Sequence, residues 1–333
     1  MSDPDSSVPA VATGASTWIV GIPKALIPSS LKAVDRLIGA AVDYPVALIE
    51  QKTAQIKTKT AALALVESSI ASVAASEASG DSDIVRRAVE TLVRKEYRRQ
   101  DNREAVVSES ILLLKESISE NTASNITPEE LDDDWLNIFE RYIEDASTDR
   151  MRSVWSRVLS GEIRKPGRFS VRTLRFLSEF SQADAILFES IASFFMNDFM
   201  PKSLSKYNED ITPLLHLEAA GLINIGSGSG LEQRWNFSPN GFIFLQEGEL
   251  VLSLKGDPGL QISCQIYALT PLGCELIHLL PNRDTKEVMR SVGRALRSQK
   301  IASAHICVVD NDDRVVPIEM LWDDTAGDTI ENS

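Results

Sequence analysis

DDDWLNIFERYIEDASTDRMRSVWSRVLSGEIRKPGRFSVRTLRFLSEFSQADAILFE, residues 132–189, reads as a run of short amphipathic helices separated by polar corners. Leu131, Trp135, Ile138, Phe139 and Ile143 recur at helical spacing, as do Met151, Val154, Trp155, Val158 and Leu159. Thr127, Pro128 and Glu130 have the pattern of a capping box with proline at the first helical position, so the first helix is expected to begin there. Pro166-Gly167 breaks the second helix, and Ser170 caps a third over VRTLRFLSEF. A fourth is expected from about Gln182 through ADAILFESIASFFMNDF.

Working back from this core, residues 84–118 form one long helix. Ile84, Ala88, Val89, Leu92, Val93 and Tyr97 make one face, and Val106, Val107, Ile111, Leu114 and Ile118 extend it past a charged middle. Residues 46–77, rich in Ala and Ser in their second half, form another long helix, and the two are expected to pair as an antiparallel hairpin. Pro23, Pro28 and Pro45 cut residues 18–51 into short helical pieces, and residues 1–16 read as a disordered tail.

Downstream the texture changes from about residue 209. ITPLLHLEAAGLINI is a short helix running into a strand. RWNFSPN, FIFLQEG, LVLSLKG and ISCQIYALT are strands split by Gly, Pro and Asn. PLGCELIHLL and residues 285–299 are helices, and SAHICVVD with VVPIEMLW makes a hairpin before an acidic, disordered tail over 323–333. The expected architecture is therefore mainly α. A long-helix hairpin region (17–125) and a helical domain (126–204) precede a smaller α+β, winged-helix-like domain (205–322).

The 333 residues are 43 % apolar and 25 % charged, close to globular averages, and long enough to bury a core without staples. A formal net charge of -14 repels polyanions and argues against the chain as a whole being a nucleic-acid binder. Cys264, Cys274 and Cys307 are few, odd in number and lack Cys-x-x-Cys spacing, which fits reduced thiols in a cytoplasm. Met1 to Thr13 carries acids and no Lys or Arg, unlike a secretory leader, and no window of 18 apolar residues occurs to span a bilayer.

Over RRQDNREAVV (98–107) and residues 132–189, the order Asp-Trp, Ala-Ser, Met then Trp, Leu-x-Gly-Glu, Pro-Gly-x-Phe-Ser, Thr-Leu and Asp-Ala-x-x-Phe resembles an uncharacterised bacterial family, domain of unknown function 2806. The likeness covers roughly residues 20–200. The stretch is also similar, more distantly, to the abortive-infection alpha family, which implies a role in defence against phage. LLHLEAAGLI (214–223) with YALTPLGCELIHLL (267–280) is similar to the end of a winged-helix module. None of these families brings a catalytic residue with it.

The densest constellation is Trp135, Trp155, Glu162, Pro166, Gly167, Phe169, Ser170 and Thr173. As structure, the tryptophans fill the core between helices and Glu162 accepts backbone N–H groups at the start of the 170–180 helix. As function, Glu162, Arg164 and Ser170 would form a polar site at a helix N-terminus.

The most positive segment holds Arg86, Arg87, Arg94, Lys95, Arg98, Arg99 and Arg103, interleaved with Glu90, Glu96, Asp101 and Glu104. It reads as a solvated face with i,i+4 ion pairs. The alternative is contact with nucleic acid or an anionic lipid surface. Residues 18–77, with Lys24, Lys32, Lys52, Lys57 and Lys59 among apolar clusters, admit a membrane-interface reading as well.

The histidines are few (His216, His278 and His305); Cys274 and His278 share a helix face, but with only Cys264 nearby no zinc set is completed. GSGSG (226–230) lacks the Lys-Ser/Thr and helix of a phosphate loop. Acid pairs such as Asp132–Asp134 and Asp312–Asp313 read as caps and turns.

The sequence therefore leads to a non-enzymatic interaction protein without cofactor or metal, cytoplasmic or peripheral to a membrane. It would work through a protein partner or self-association. A winged-helix nucleic-acid-binding regulator is the alternative, disfavoured because ITPLLHLEAAG (211–221) has no Lys or Arg. An enzyme of unrecognised type is the third reading.

Overall fold

The computed structural model describes residues 26–38, 82–120, 130–226, 230–280, 283–298, 300–310 and 314–324. The expected N-terminal tail, the 46–77 helix and its pairing, the Thr127-Pro128 cap and most of the membrane reading of 18–77 lie outside the described residues, as does the expected C-terminal tail except for Asp323, which ends the last strand, and Asp324, whose N–H donates to the Ala302 carbonyl. The chain divides into two compact units, 1–175 and 176–333. The division falls before the expected domain boundary at 205, and the segment up to Phe199 contributes Met196 and Phe199 to the second unit's core.

In the first unit, α1 (Ile27–Ile38) and α2 (Ser82–Glu120) precede α3 (Asp133–Ile143) and α4 (Asp149–Arg164). At 39 residues α2 is about 58 Å long. Its C-terminal half buries Val106, Val107, Ile111 and Leu114, and packs against α4 and α1. In the core Trp135 stacks on Phe139 at 4.9 Å, Phe139 meets Trp155 edge-on at 5.7 Å, and Tyr142 stacks on the other side of Trp155 at 5.8 Å.

The start of α3 differs from expectation. Glu130 and Leu131 are not helical; the helix begins at Asp133, where Asp132 Oδ1 accepts the Trp135 N–H at 2.7 Å. Asp133 and Asp134 then occupy its first turn, favoured by the helix dipole. Thr148 caps α4 through the Met151 N–H. Helix α5 (Val171–Glu179) crosses the division between the units.

The second unit opens with α6 (Gln182–Ala192), capped by Ser181 and shorter than the expected helix. The remainder of that run holds a short strand absent from the sequence reading, β1 (Phe199–Pro201). Next come α7 (Thr212–Ala219), β2 (Ile223–Asn224), β3 (Leu231–Asn236), β4 (Phe242–Glu247), β5 (Leu250–Gly256), β6 (Gln261–Leu269), α8 (Pro271–Ile277), α9 (Thr285–Leu296), β7 (Ile301–Val309) and β8 (Val315–Asp323).

Two four-stranded antiparallel sheets result. In one, β6 pairs with β1, β2 and β3; Ala268 faces both Phe199 and Asn224, while Ile266 faces Pro201 and Leu231. So β2 and β3 lie end to end along one side of β6, with β1 along the other. The second sheet has the order β4-β5-β7-β8. Val288, Met289, Val292 and Leu296 of α9 join Leu252, Leu254, Ala304, Ile306 and Trp322 in the core. Gly293 lets α9 approach, since a Cβ there would lie 2.6 Å from Leu321 Cδ1.

Candidate functional site

The corner after α4 is built by Glu162. This carboxylate is buried at 3 % exposure; Oε1 accepts the Gly167 N–H at 2.6 Å and Oε2 the Phe169 N–H at 2.9 Å. Gly167 has φ +80°, a left-handed conformation that glycine adopts without a Cβ clash. Trp135 Nε1 donates to the Phe169 carbonyl at 2.7 Å, which ties α3 to the same loop. A Cβ on Gly161 would come 2.7 Å from the Phe169 ring, so the glycine of Leu-x-Gly-Glu gives that ring its seat. Ser170 Oγ accepts the Thr173 N–H at 3.3 Å.

These bonds account for the constellation as structure. Both Glu162 oxygens are engaged by backbone, and Ser170 is engaged as a cap. Burial lowers the guanidinium pKa of Arg164; it also lowers that of Arg168, where Arg164 adds a repulsive contribution and Glu162 an attractive one.

The basic run divides along α2. At its C-terminal end, Arg99 Nε lies 3.3 Å from Glu144 and Arg99 Nη1 3.5 Å from Glu96. Arg103 reaches Glu140 at 2.6 Å, Glu96 at 3.2 Å and Glu144 at 3.8 Å. Arg36 of α1 stands 3.5 Å from Glu140. Arg152 of α4 donates to Asn102 Oδ1 at 2.6 Å and to Asp101 at 3.2 Å, and Asn102 donates to the Glu144 carbonyl. This removes Arg99 from the set expected to meet an anion or lipid. Glu140 and Glu144, one turn apart on α3, face Arg99 and Arg103, one turn apart on α2. That matched spacing was the available signal, and reading α2 alone missed it.

A surface pocket of about 380 Å³ adjoins this network, lined by Arg99, Ile138, Arg141, Tyr142, Glu144 and Asp145. Its charges are mixed and it holds no histidine or cysteine.

The N-terminal half of α2 is different. Arg86 pairs with Asp83 at 3.6 Å, an i,i+3 spacing in place of the expected i,i+4. Arg86, Arg87, Arg94, Lys95 and Arg98 are all exposed. So are apolar side chains among them: Ile84 is 56 % exposed and Leu92 66 %.

In the second unit Thr270 caps α8 by accepting the Gly273 N–H at 3.1 Å and donates to the Gly221 carbonyl at 2.6 Å. A Cβ on Gly273 would lie 2.2 Å from the Leu222 carbonyl oxygen, which explains the Thr-x-x-Gly pattern. Helix α7 shows Leu215 and His216 to solvent, and His216 Nε2 meets Asp184 Oδ1 at 2.6 Å. Burial raises the thiol pKa of Cys264, Cys274 and Cys307, so these sulfurs are poor nucleophiles at neutral pH. Among the described residues no cluster of three or more His, Cys, Asp or Glu is placed to hold a metal ion, and no helix is long and apolar enough to cross a membrane.

Residues 86–199 match the family described as "Protein of unknown function (DUF2806)", the family that the sequence resembles. The match runs from the exposed half of α2 through the Glu162 corner to the first residue of β1. No curated protein and no solved structure matches the chain.

Proposed function

We propose that this protein is a non-enzymatic interaction protein that works by contact through the exposed N-terminal half of α2. The observation that carries this reading is the exposure of Ile84 and Leu92 beside Arg87, Lys95 and Arg98. Open apolar side chains set among exposed cations suit a surface that meets a partner. The Arg103 network ties the other half of the helix to the end of α3.

The contact serves self-association or a membrane-proximal assembly, and a defence role of the kind implied by the abortive-infection likeness would be exercised through it. Light scattering coupled to size exclusion, with and without added vesicles or DNA, tests the reading. A mass above the monomer, or a shift on adding either, is expected. A monomer indifferent to both overturns it.

A second reading, a winged-helix nucleic-acid-binding regulator, draws on one arrangement. Helix α7 leads into β2, the strand order is β1-β6-β2, and the Thr270-capped α8 follows β6. Helix α7 carries no Lys or Arg, which argues against its reading phosphates or bases. Its exposed Leu215 suits a protein surface better. Fluorescence anisotropy with duplex DNA across a salt series separates the two: a steep salt dependence would favour the regulator.

A further inference from the structure

We infer that the corner between α4 and α5 binds a compact phosphate group, free or as a terminal monoester, on the side chains of Arg164, Arg168 and Arg172. Between Glu162 and Glu179 the chain carries Arg164, Lys165, Arg168, Arg172 and Arg175 and no acidic residue. Residues 86–103, expected to be the most positive segment, hold seven basic side chains against three acidic ones, so the corner exceeds them in net charge.

The fold gathers these cations within the first unit. Lys165 to Arg168 form a β-turn, closed by the Arg168 N–H on the Lys165 carbonyl at 3.1 Å. Proline stands second and Gly167 third at φ +80°, the type II pattern. Glu162 holds that turn through the Gly167 and Phe169 N–H groups. The Arg168 stem folds back over the last turn of α4, where a Cβ on Gly161 would lie 3.7 Å from Arg168 Cδ. Arg164, three residues after Gly161, donates from Nε to the Ser160 carbonyl at 3.4 Å. The two side chains thus share one helix end, and their charges repel.

The chain supplies no counter-ion. Among the described residues Arg164, Lys165, Arg168 and Arg172 form no ion pair, although the sequence holds 48 acidic residues. Glu162 attracts Arg168, but both its oxygens are engaged by backbone. Arg164 and Lys165 suit the C-terminal end of α4, whose dipole favours cations. Arg172 has no such support. It stands in the first turn of α5, where the dipole disfavours a cation and no acidic residue offsets it. An anion at the corner relieves Arg172 and the Arg164–Arg168 repulsion together.

Charge and size select phosphate. A carboxylate has one charge and two oxygens and matches one guanidinium. A phosphate monoester carries about -1.5 to -2 with three acceptor oxygens, so it can answer more than one cation. Duplex DNA, an anionic bilayer and a second copy of this chain all extend beyond the corner and meet the field of a molecule with net charge -14. A phosphate group lies within one Debye length, about 8 Å at physiological salt, and meets mainly the local cations.

The test is calorimetric titration of the full chain at constant ionic strength with inorganic phosphate, adenosine monophosphate, acetate and duplex DNA. Saturable binding of phosphate is expected, with none of acetate. Tighter binding of the monophosphate assigns an ester as the occupant, and tighter binding of inorganic phosphate assigns the free anion. Arg164→Gln with Arg168→Gln should weaken binding on the order of a hundredfold, at about tenfold per guanidinium contact. Arg172→Gln alone, at an exposed position, should weaken it about tenfold. In chloride the variants should melt no lower than the wild type, since each removes an unopposed cation, and added phosphate should raise the melting temperature of the wild type most.

No saturable phosphate binding, acetate binding as tightly as phosphate, or phosphate binding untouched by the double variant and by Arg172→Gln overturns the inference. So does duplex DNA binding more tightly than either phosphate and lost in the double variant, or a dimer that the double variant dissociates, since these assign the cations to a macromolecule. Each of these outcomes leaves the α2 contact reading to its own test.

Discussion

Glu162 Oε1 accepts the N–H of Gly167 at 2.6 Å while its second oxygen holds the Phe169 N–H, so one buried carboxylate closes the loop between α4 and α5. Replacing it with Ala leaves two backbone donors without their acceptor. Glu162→Ala should cost about 2–4 kcal/mol in urea unfolding, and Glu162→Gln, which keeps one acceptor, about half that. Retention of full stability with loss of partner binding would instead assign the residue to function.

Arg103 is the hub of the network between α2 and α3, with its side chain 14 % exposed against 17 % for Glu140 and 18 % for Glu144. Arg103→Ala leaves the two carboxylates facing each other without that cation and should destabilise by about 1–3 kcal/mol. A double-mutant cycle of Arg103→Ala and Glu140→Ala should show coupling of about 1 kcal/mol. Additive losses would mean the pair is held apart in solution.

Gly273→Ala drives a methyl group to 2.2 Å from the Leu222 carbonyl oxygen, which belongs to the backbone and cannot swing away. The second unit should lose about 2–3 kcal/mol or more on thermal unfolding. Gly259, with nothing within 4 Å of an added Cβ, is a useful comparison for crowding, although its positive φ adds strain of its own.

Asp184 accepts from the Ser181 hydroxyl at 2.6 Å and meets His216, and these bonds hold its pKa below the usual carboxylate value, the Ser181 bond most strongly. The folded-state value being the lower one, the stabilisation is present above the unfolded pKa of about 3.9 and is lost as pH falls through the folded value. Unfolding free energies of wild type and Asp184→Asn measured from pH 6 to pH 2 should therefore converge on the acid side. A constant difference across that range would show that the carboxylate's charge plays no part.

Much of the local structure was legible in the chain. Trp135, Phe139 and Ile143 at helical spacing announce α3, and Trp155, Val158 and Leu159 announce α4. Ser170 sits at the cap where its neighbours predict it, and the strands up to Leu269 follow from turn residues, although β3 runs Leu231–Asn236, three residues ahead of the expected start at Arg234. The start of α3 was misplaced because Asp132 competes with Thr127 as a cap, and both have suitable side chains.

Spacing and cap chemistry are local properties, decided within one or two helical turns, and so the sequence by itself determined most of the described helices and strands. Tertiary structure alone decided that Arg99 and Arg103 spend their charge on Glu140 and Glu144, and that Phe199–Pro201 becomes a strand because Ala268 is there to pair with it. It also decided that the apolar side of α2 is buried over one half and open over the other. Each of these depends on which distant element arrives alongside, and a periodic pattern carries no information about the identity of its partner.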